Sequence, residues 1–328
     1  MQQGLSVVIP NYNGISLFPH TLPSVFSAVS SLSIPYEVIV ADDCSTDASV
    51  EWLRLHYPQI RLVTNDQNSG FSVTANRGIE AARYRLVLLL NSDVKLEPGY
   101  FESQFRYFED PGVFGVMGRI IGWEDDNIQD GAKYPSFHSA KIKTSVNYLL
   151  ANEKDMEHGL LSMYLSGANA LMDREKFLRL GGFNELFSPF YVEDYELSLR
   201  AWRAGWKCIY EYKAVCRHRT STSIKTKSRK AFIKKIAIRN KMFLHAIHLS
   251  SFKRLLWFTQ LVLEVLVQTL LFKTYYTKAF WLFLRSMKSV RSSRKAFNTI
   301  AGSSSPLSVK DVADKIQSSV EGKVVRFF

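Results

Sequence analysis

Two adjacent carboxylates, Glu193 and Asp194, follow a Pro-containing loop and open a segment with helical spacing. A carboxylate at such a point suits a general base that takes a proton from a hydroxyl. It also suits nothing more than favourable charge at a helix N-terminus. Three further polar clusters lie upstream, each after an apolar run: Asp42-Asp43, Asn68 to Asn76, and Asn91-Ser92-Asp93. Asp93, directly after a buried strand, stands where a divalent cation can be held, because hard cations take oxygen ligands and often share them with substrate phosphates. His218, between Arg217 and Arg219, offers a nitrogen ligand, though a single His is more often structural.

The groups need a frame. Leu5 to Pro10, Glu37 to Ala41, Arg61 to Thr64 and Leu86 to Leu90 read as short strands, and continuous Leu and β-branched runs fit a sheet covered on both faces. Residues 17–32, 48–57 and 73–83 read as helices between them, the second capped by Ser45 or Thr46 and stopped by Pro58. The alternation predicts an α/β fold with a Rossmann-like, mostly parallel sheet. Such sheets bind ligands beyond the carboxyl ends of their strands, which is where the clusters fall. Pro10 to Gly14 is a turn by composition, with Tyr12 as a ring that can stack on a base. Asp42 and Asp43 together require a cation or hydrogen-bond donors. Asn68, Gly70 and Asn76 read as a turn and a helix start, where glycine lets a ligand approach the backbone. Beyond Asp93, 99–108 reads as a helix, 113–121 as a strand, 123–139 as a loop, 174–180 and 194–204 as helices, and 207–215 as a strand. Glu196 and Arg200, spaced i,i+4, read as a surface ion pair.

The chain has 328 residues, 46% of them hydrophobic, enough for one large or two modest domains. Its formal charge of +12 is unevenly spread: residues 219–328 hold 22 of the 42 Lys and Arg but only 4 of the 30 Asp and Glu. The basic last third points to an anionic surface. No nucleic-acid recognition motif is visible, and aromatic residues are not interleaved as a stacking platform, so nucleic acid is not an expected partner. Leu255 to Phe272 is almost wholly apolar but short for a span, which needs about 20 residues. Gln260, Glu264 and Gln268 stripe it, favouring a helix that lies in a membrane interface or packs on the protein. Three irregularly spaced cysteines give no disulfide framework or zinc site. The N-terminus lacks a basic n-region, so no secretory signal is expected. There is no Walker loop, Gly-x-Ser-x-Gly elbow or His-Glu-x-x-His, which argues against P-loop, hydrolase and zinc-protease chemistry.

Taken in order, VVIPNYNG, VIVADDCSTD, NSGFSVTANRGI, LVLLLNSD, SGANALMDREKFLRLGGFNELF, VEDYELSLR and AVCRHRTSTS resemble the inverting nucleotide-sugar glycosyltransferases of family two, with the GT-A fold. The rhamnosyltransferase-like branch is the most similar, and the match covers roughly residues 4–245. The resemblance implies that Tyr12 stacks on the nucleotide base and Asp42 hydrogen-bonds it. Pro10, Asn68, Gly70, Asn76, Asn91 and Ser92 join this nucleotide site, with Asn91 facing the ribose. It implies that Asp93 and His218 hold Mg²⁺ or Mn²⁺, that Asp194 is the catalytic base with Glu193 the lesser candidate, and that Gly167, Ala168 and Asn169 line the acceptor side. Asn91 stands where the family's Asp-x-Asp begins, leaving Asp93 as that motif's only carboxylate.

The expected organisation is a catalytic domain over 1–225, a basic amphipathic helical region over 226–300 that meets the membrane, and a linker and tail over 301–328. The expected partners are a nucleotide-sugar donor, a saccharide or lipid-linked acceptor and a membrane surface. The expected location is cytoplasmic, peripheral on the inner face of the plasma membrane. A nucleotidyltransferase of similar sheet architecture and a non-catalytic basic nucleic-acid-binding protein are the alternative readings.

Overall fold

A computed structural model describes residues 2–143, 146–219, 230–300 and 306–328. In chain order the first part runs β1 (Gln2–Asn11), α1 (Phe18–Ser30), β2 (Tyr36–Asp42), α2 (Ser49–His56), β3 (Arg61–Thr64), α3 (Phe71–Ala81), β4 (Tyr84–Leu90), β5 (Val94–Leu96) and β6 (Val113–Gly122). Six short strands follow: β7 (Ile128–Asp130), β8 (Ala132–Lys133), β9 (Phe137–His138), β10 (Lys141–Ile142), β11 (Asn147–Leu150) and β12 (Leu160–Leu161). Then come β13 (Asn169–Asp173), α4 (Arg174–Arg179), α5 (Glu193–Arg203) and β14 (Lys207–His218). The C-terminal part holds α6 (Lys230–His248), α7 (Ser251–Leu270), α8 (Thr274–Arg285), α9 (Met287–Ile300), α10 (Val309–Ser318) and β15 (Val325–Phe327).

The main sheet runs β12-β14-β6-β13-β4-β1-β2-β3. Strands β3, β2, β1 and β4 are parallel, as the alternating pattern predicts. β13 enters antiparallel to both β4 and β6, and β14 pairs in parallel with β6, so the sheet is mixed. Apolar side chains of β1, β2 and β4 are buried on both faces, which is why these strands read as continuous hydrophobic runs.

Three local expectations differ from the structure. Residues 99–108 form turns and a 3₁₀ helix over Phe105–Glu109, not an α-helix. Gly99 takes φ +75°. The Gln104 side chain donates to the Tyr100 carbonyl at 2.7 Å, while its N–H bonds Phe101 O in the tighter i,i+3 pattern. The loop expected over 123–139 contains β7, β8 and β9, strands of two or three residues that show no period in sequence. Neither Ser45 nor Thr46 caps α2. Both bond Asn13 of the first turn, and Asp47 accepts from the Ser49 N–H at 3.0 Å.

The apolar segment 255–272 falls in α7. Trp257, Leu261 and Val265 are buried against the protein, and Glu264 accepts from Tyr276 at 2.8 Å and pairs with Lys141. Among the described residues, no helix is long and apolar enough to cross a membrane. In the tail a capping box between Ser308 and Asp311 opens α10, whose Val309, Val312, Ala313 and Ile316 are buried. β15 then pairs with β11. The start of the basic helix and most of the 301–308 linker lie outside the described residues, as does the end of the AVCRHRTSTS motif.

Candidate active site

The carboxyl ends of β1, β2 and β4 meet in one place. Register sets Asn11 beside Asp42, and Asn11 Nδ2 donates to Asp42 Oδ1 at 2.7 Å. Ser45 Oγ and N–H complete the shell of Asp42 at 2.6 and 2.8 Å. The turn after β1 is laced to the turn after β2: Asn13 N–H donates to Ser45 Oγ, and Asn13 Oδ1 accepts from Thr46 N–H at 2.6 Å. Tyr12, half-buried, lies in the turn after β1. Pro10 pairs with Ala41. A Cβ on Gly14 would fall 2.2 Å from Asn11 Oδ1, so glycine lets the turn after β1 close over the Asn11 amide.

The neighbouring Asp43 carboxylate is committed to one side-chain amide and two backbone N–H groups. It accepts from Asn65 Nδ2, Ser69 N–H and Gly70 N–H, each at 2.8 Å. The Gly70 N–H is therefore spent on holding the entry to α3. Asn68 is exposed on that turn. Asn76 departs from the cluster: its Nδ2 donates to Phe183 O and Glu185 Oε1, and its Oδ1 accepts from Phe183 N–H at 2.7 Å. Its side chain ties α3 to the chain before α5.

After β4, Asn91 N–H donates to Ala168 O at 3.0 Å, and Asn91 O accepts from Val94 N–H to close the turn that carries Ser92 and Asp93. β14 ends at His218, opposite Val94 of β5. This sets His218 Nε2 3.4 Å from Asp93 Oδ1. An oxygen and an imidazole nitrogen converging there fit a divalent cation such as Mn²⁺. No group of three or more metal-ligating side chains occurs among the described residues, so the other positions would fall to phosphate oxygens and water.

The same 167–169 segment reaches the carboxylate pair. Gly167 N–H donates to Asp194 Oδ2 at 3.2 Å, and Tyr195 N–H to Asp194 Oδ1 at 2.7 Å. Asn169 turns inward: it is fully buried, and its Nδ2 donates to Gly118 O and Cys216 Sγ. Asp194 keeps part of its surface open, whereas Glu193 is buried, and Glu193 Oε2 finds no hydrogen-bond partner among the described residues. Burial, then the charge of Asp194, pushes the Glu193 carboxyl up to about 8. Burial also raises Asp194, but the Gly167 and Tyr195 N–H groups and the charge of Lys133 pull it back. Environments that separate two carboxyls in this way assign them different roles. Both carboxyls are raised by burial, and Glu193, without a partner for Oε2, holds the pair's proton more readily than Asp194, which has two N–H donors.

Lys133 is a site residue that sequence reasoning missed. It lies on β8, a two-residue strand, buried, paired with Asp130 and donating to Asn147 Oδ1 at 2.8 Å. Its Nζ is 5.1 Å from the Tyr164 ring centre. Burial pulls its pKa down, and Asp194 pulls it back up. Glu196 and Arg200 are not a surface pair. Both are buried, the Arg200 guanidinium meets both Glu196 oxygens, and it also donates to Leu180 O and Gly182 O. His248 of α6 adds a contact to Glu196 Oε1 at 3.2 Å.

Residues 6–181, more than half of the chain, match the family model described as "Glycosyl transferase family 2". The chain belongs to that family and is a transferase enzyme, with a fold of GT-A type. It is 26% identical over 225 residues to the putative teichuronic acid biosynthesis glycosyltransferase TuaG of Bacillus subtilis, covering 64% of this chain and 88% of that one. It is 26% identical over 231 residues to N-acetylglucosaminyl-diphospho-decaprenol L-rhamnosyltransferase of Mycobacterium tuberculosis, covering 61% and 73%. The crystal structure of GalNAc-T7 with UDP, GalNAc and Mn2+ superposes with a TM-score of 0.63 at 14% identity, covering 97% of this chain and 57% of that one. At that identity the likeness concerns fold alone.

Proposed function

We propose that the protein is an inverting glycosyltransferase that moves a sugar from a UDP- or dTDP-linked donor, rhamnose among the candidates, to a hydroxyl of a lipid-linked saccharide or polysaccharide precursor. The observation that carries this reading is the run of contacts from Asp42 through the Asn91 turn and Gly167 to Asp194. It joins the carboxyl ends of β1, β2 and β4 to a partly exposed Asp194.

The donor base stacks on Tyr12 beside Asp42, and Asn91 faces the ribose. Asp194 takes the proton of the acceptor hydroxyl as its oxygen bonds to the anomeric carbon. The bond from that carbon to the phosphate oxygen breaks on the opposite face, its electron pair leaving with the nucleoside diphosphate, so the anomeric configuration inverts. Holding donor and acceptor in line accounts for much of the rate gain. Asp93 and His218 would hold a divalent cation, Mg²⁺ or Mn²⁺, which would neutralise the charge on the departing diphosphate.

The C-terminal helices are the proposed membrane contact, on the cytoplasmic face. α7 turns Phe252, Leu255, Leu263, Leu266 and Leu270 outward, in the basic third of the chain. Apolar insertion and attraction of Lys and Arg to anionic lipid act together on such a surface.

Thermal shift with UDP-, dTDP- and GDP-sugars, each with and without Mn²⁺, tests the donor reading. A metal-dependent rise with one nucleotide supports it and names the donor class. No rise with any of them counts against it.

A further inference from the structure

The carboxylate pair hangs on backbone that its own residue types disfavour. Tyr191 and Val192, the two residues before Glu193, take φ of 76° and 75°. A β-branched residue such as Val192 is an outlier there, and such conformations persist only where the surroundings over-determine them. Val192 is also the N-cap of α5, and its side chain makes no capping bond.

One side chain from another part of the chain holds this turn. Asn240, fully buried in α6, donates from Nδ2 to the carbonyls of Phe187, Phe190 and Tyr191 at 2.6, 3.0 and 2.8 Å. Its Oδ1 accepts from Arg239 Nε and Nη2 at 3.0 and 2.8 Å. That pairing fixes which way the amide points. Arg239 Nη2 also donates to Ser188 O at 2.5 Å. On its other side the loop meets the entry to α3: Pro189 O accepts from Phe71 N–H at 2.9 Å, and a Cβ on Gly70 would lie 2.7 Å from Pro189 Cα. The loop is therefore clamped between α3 and α6. Both the loop and α6 lie beyond the residues matched by the family model.

We propose that Asn240 is a positioning residue for the catalytic carboxylate. Its amide, aimed by Arg239, holds the left-handed Tyr191–Val192 turn and thereby sets where Asp194 stands against the Gly167 N–H. On this account α6 completes the active site in addition to belonging to the basic surface. The proposal rests on the reading of Asp194 as the base.

Two measurements on the full chain test it. Hydrogen exchange needs no substrate: peptides covering 187–196 are compared in wild type, Asn240→Ala and Asn240→Asp. The aspartate has nearly the same shape but cannot donate to the three carbonyls. Exchange of this segment should rise on the order of tenfold, with the β1–β2 core unchanged. Unchanged exchange in both variants would overturn the proposal. The second measurement is turnover of whichever UDP- or dTDP-sugar the wild type cleaves, with UDP or dTDP titration for donor affinity. A small displacement of the base costs on the order of 10²-fold, so kcat should fall by that order while nucleotide affinity stays within about twofold.

Adding Val192→Gly to Asn240→Ala should restore part of kcat, because glycine takes φ near +75° without steric cost. A variant that merely loosens α6 would gain nothing from that change. Unaltered kcat in Asn240→Asp, or a loss of nucleotide affinity matching the loss of kcat, would overturn the proposal. If Asn240→Ala does not fold, Arg239→Gln removes the group that aims the amide, and the same readouts apply. Absence of turnover in the wild type would count against the glycosyltransferase reading, and the exchange result would then decide the clamp by itself.

Discussion

Gly167 gives its backbone N–H to Asp194 Oδ2 across 3.2 Å. The neighbouring Ala168 carbonyl accepts from Asn91 at the end of β4. One short segment thus fixes the proposed base relative to the turn that carries Asp93.

Glu193 gives a stability signature with a definite sign. Its folded pKa, near 8, lies above the ordinary 4.5, so folding takes up a proton across that window. Its contribution is fully present below about pH 4.5 and is lost as pH rises through 8. Wild-type Tm should decline over this range, and Glu193→Gln, neutral throughout, should flatten the decline. A variant with the same slope as wild type would contradict the assignment. Turnover by Glu193→Gln should remain close to wild type, since the proposed base is the other carboxyl.

Lys133 should tune the base without touching the reacting atoms. Its positive charge lowers the pKa of Asp194. Lys133→Met should therefore move the acid limb of kcat/KM to higher pH, leaving the plateau to be compared at high pH. An unmoved limb, or one moved to lower pH, would contradict the electrostatic link.

The buried Glu196–Arg200–His248 network ties α5 to α6. Burial favours the protonated carboxyl, but the Arg200 charge and His248 outweigh it and hold Glu196 below its ordinary pKa. The sign is opposite to that of Glu193: this contribution is present above the ordinary carboxylate pKa and is lost as pH falls through the folded value. Arg200→Met leaves the buried Glu196 carboxylate with His248 as its remaining partner and should cost about 3–5 kcal/mol at neutral pH by urea unfolding. A loss under about 1 kcal/mol would mark the pair as solvent-screened.

These last residues show what a sequence can and cannot convey. The strands after which Asp42, Asn91 and Asp93 fall were legible because an apolar run that stops at polar residues marks a buried strand end. The roles of the later motifs came from resemblance, since an Asp at a helix start has several uses. Burial of Glu196 and Arg200 was not legible, because i,i+4 spacing is the same on an exposed face and a buried one. Their inner partners are His248 and the carbonyls of Leu180 and Gly182. Lys133 was hidden on a strand too short to show a period. Asn240 was hidden inside a basic helix, where its three acceptors become visible only once the chain has folded back. Asn76 and Asn169 carry the opposite lesson: within the motif run, amides that look poised for a ligand are engaged by Phe183 and by Gly118.

The basic, apolar-faced C-terminal region predicts binding to vesicles of anionic phospholipid that weakens as salt rises. Replacing Leu263, Leu266 and Leu270 together with Ser should reduce co-sedimentation at all salt concentrations, with thermal stability retained because all three are exposed. Equal co-sedimentation by wild type and variant would refute the membrane contact.

The most direct test of the account is Asp194→Asn. The amide keeps the shape of the side chain but cannot take a proton. Nucleoside diphosphate binding should remain within about twofold of wild type, while transfer to acceptor falls by at least 10²-fold, the scale of a general base. Transfer near the wild-type rate would place the base elsewhere and contradict the account.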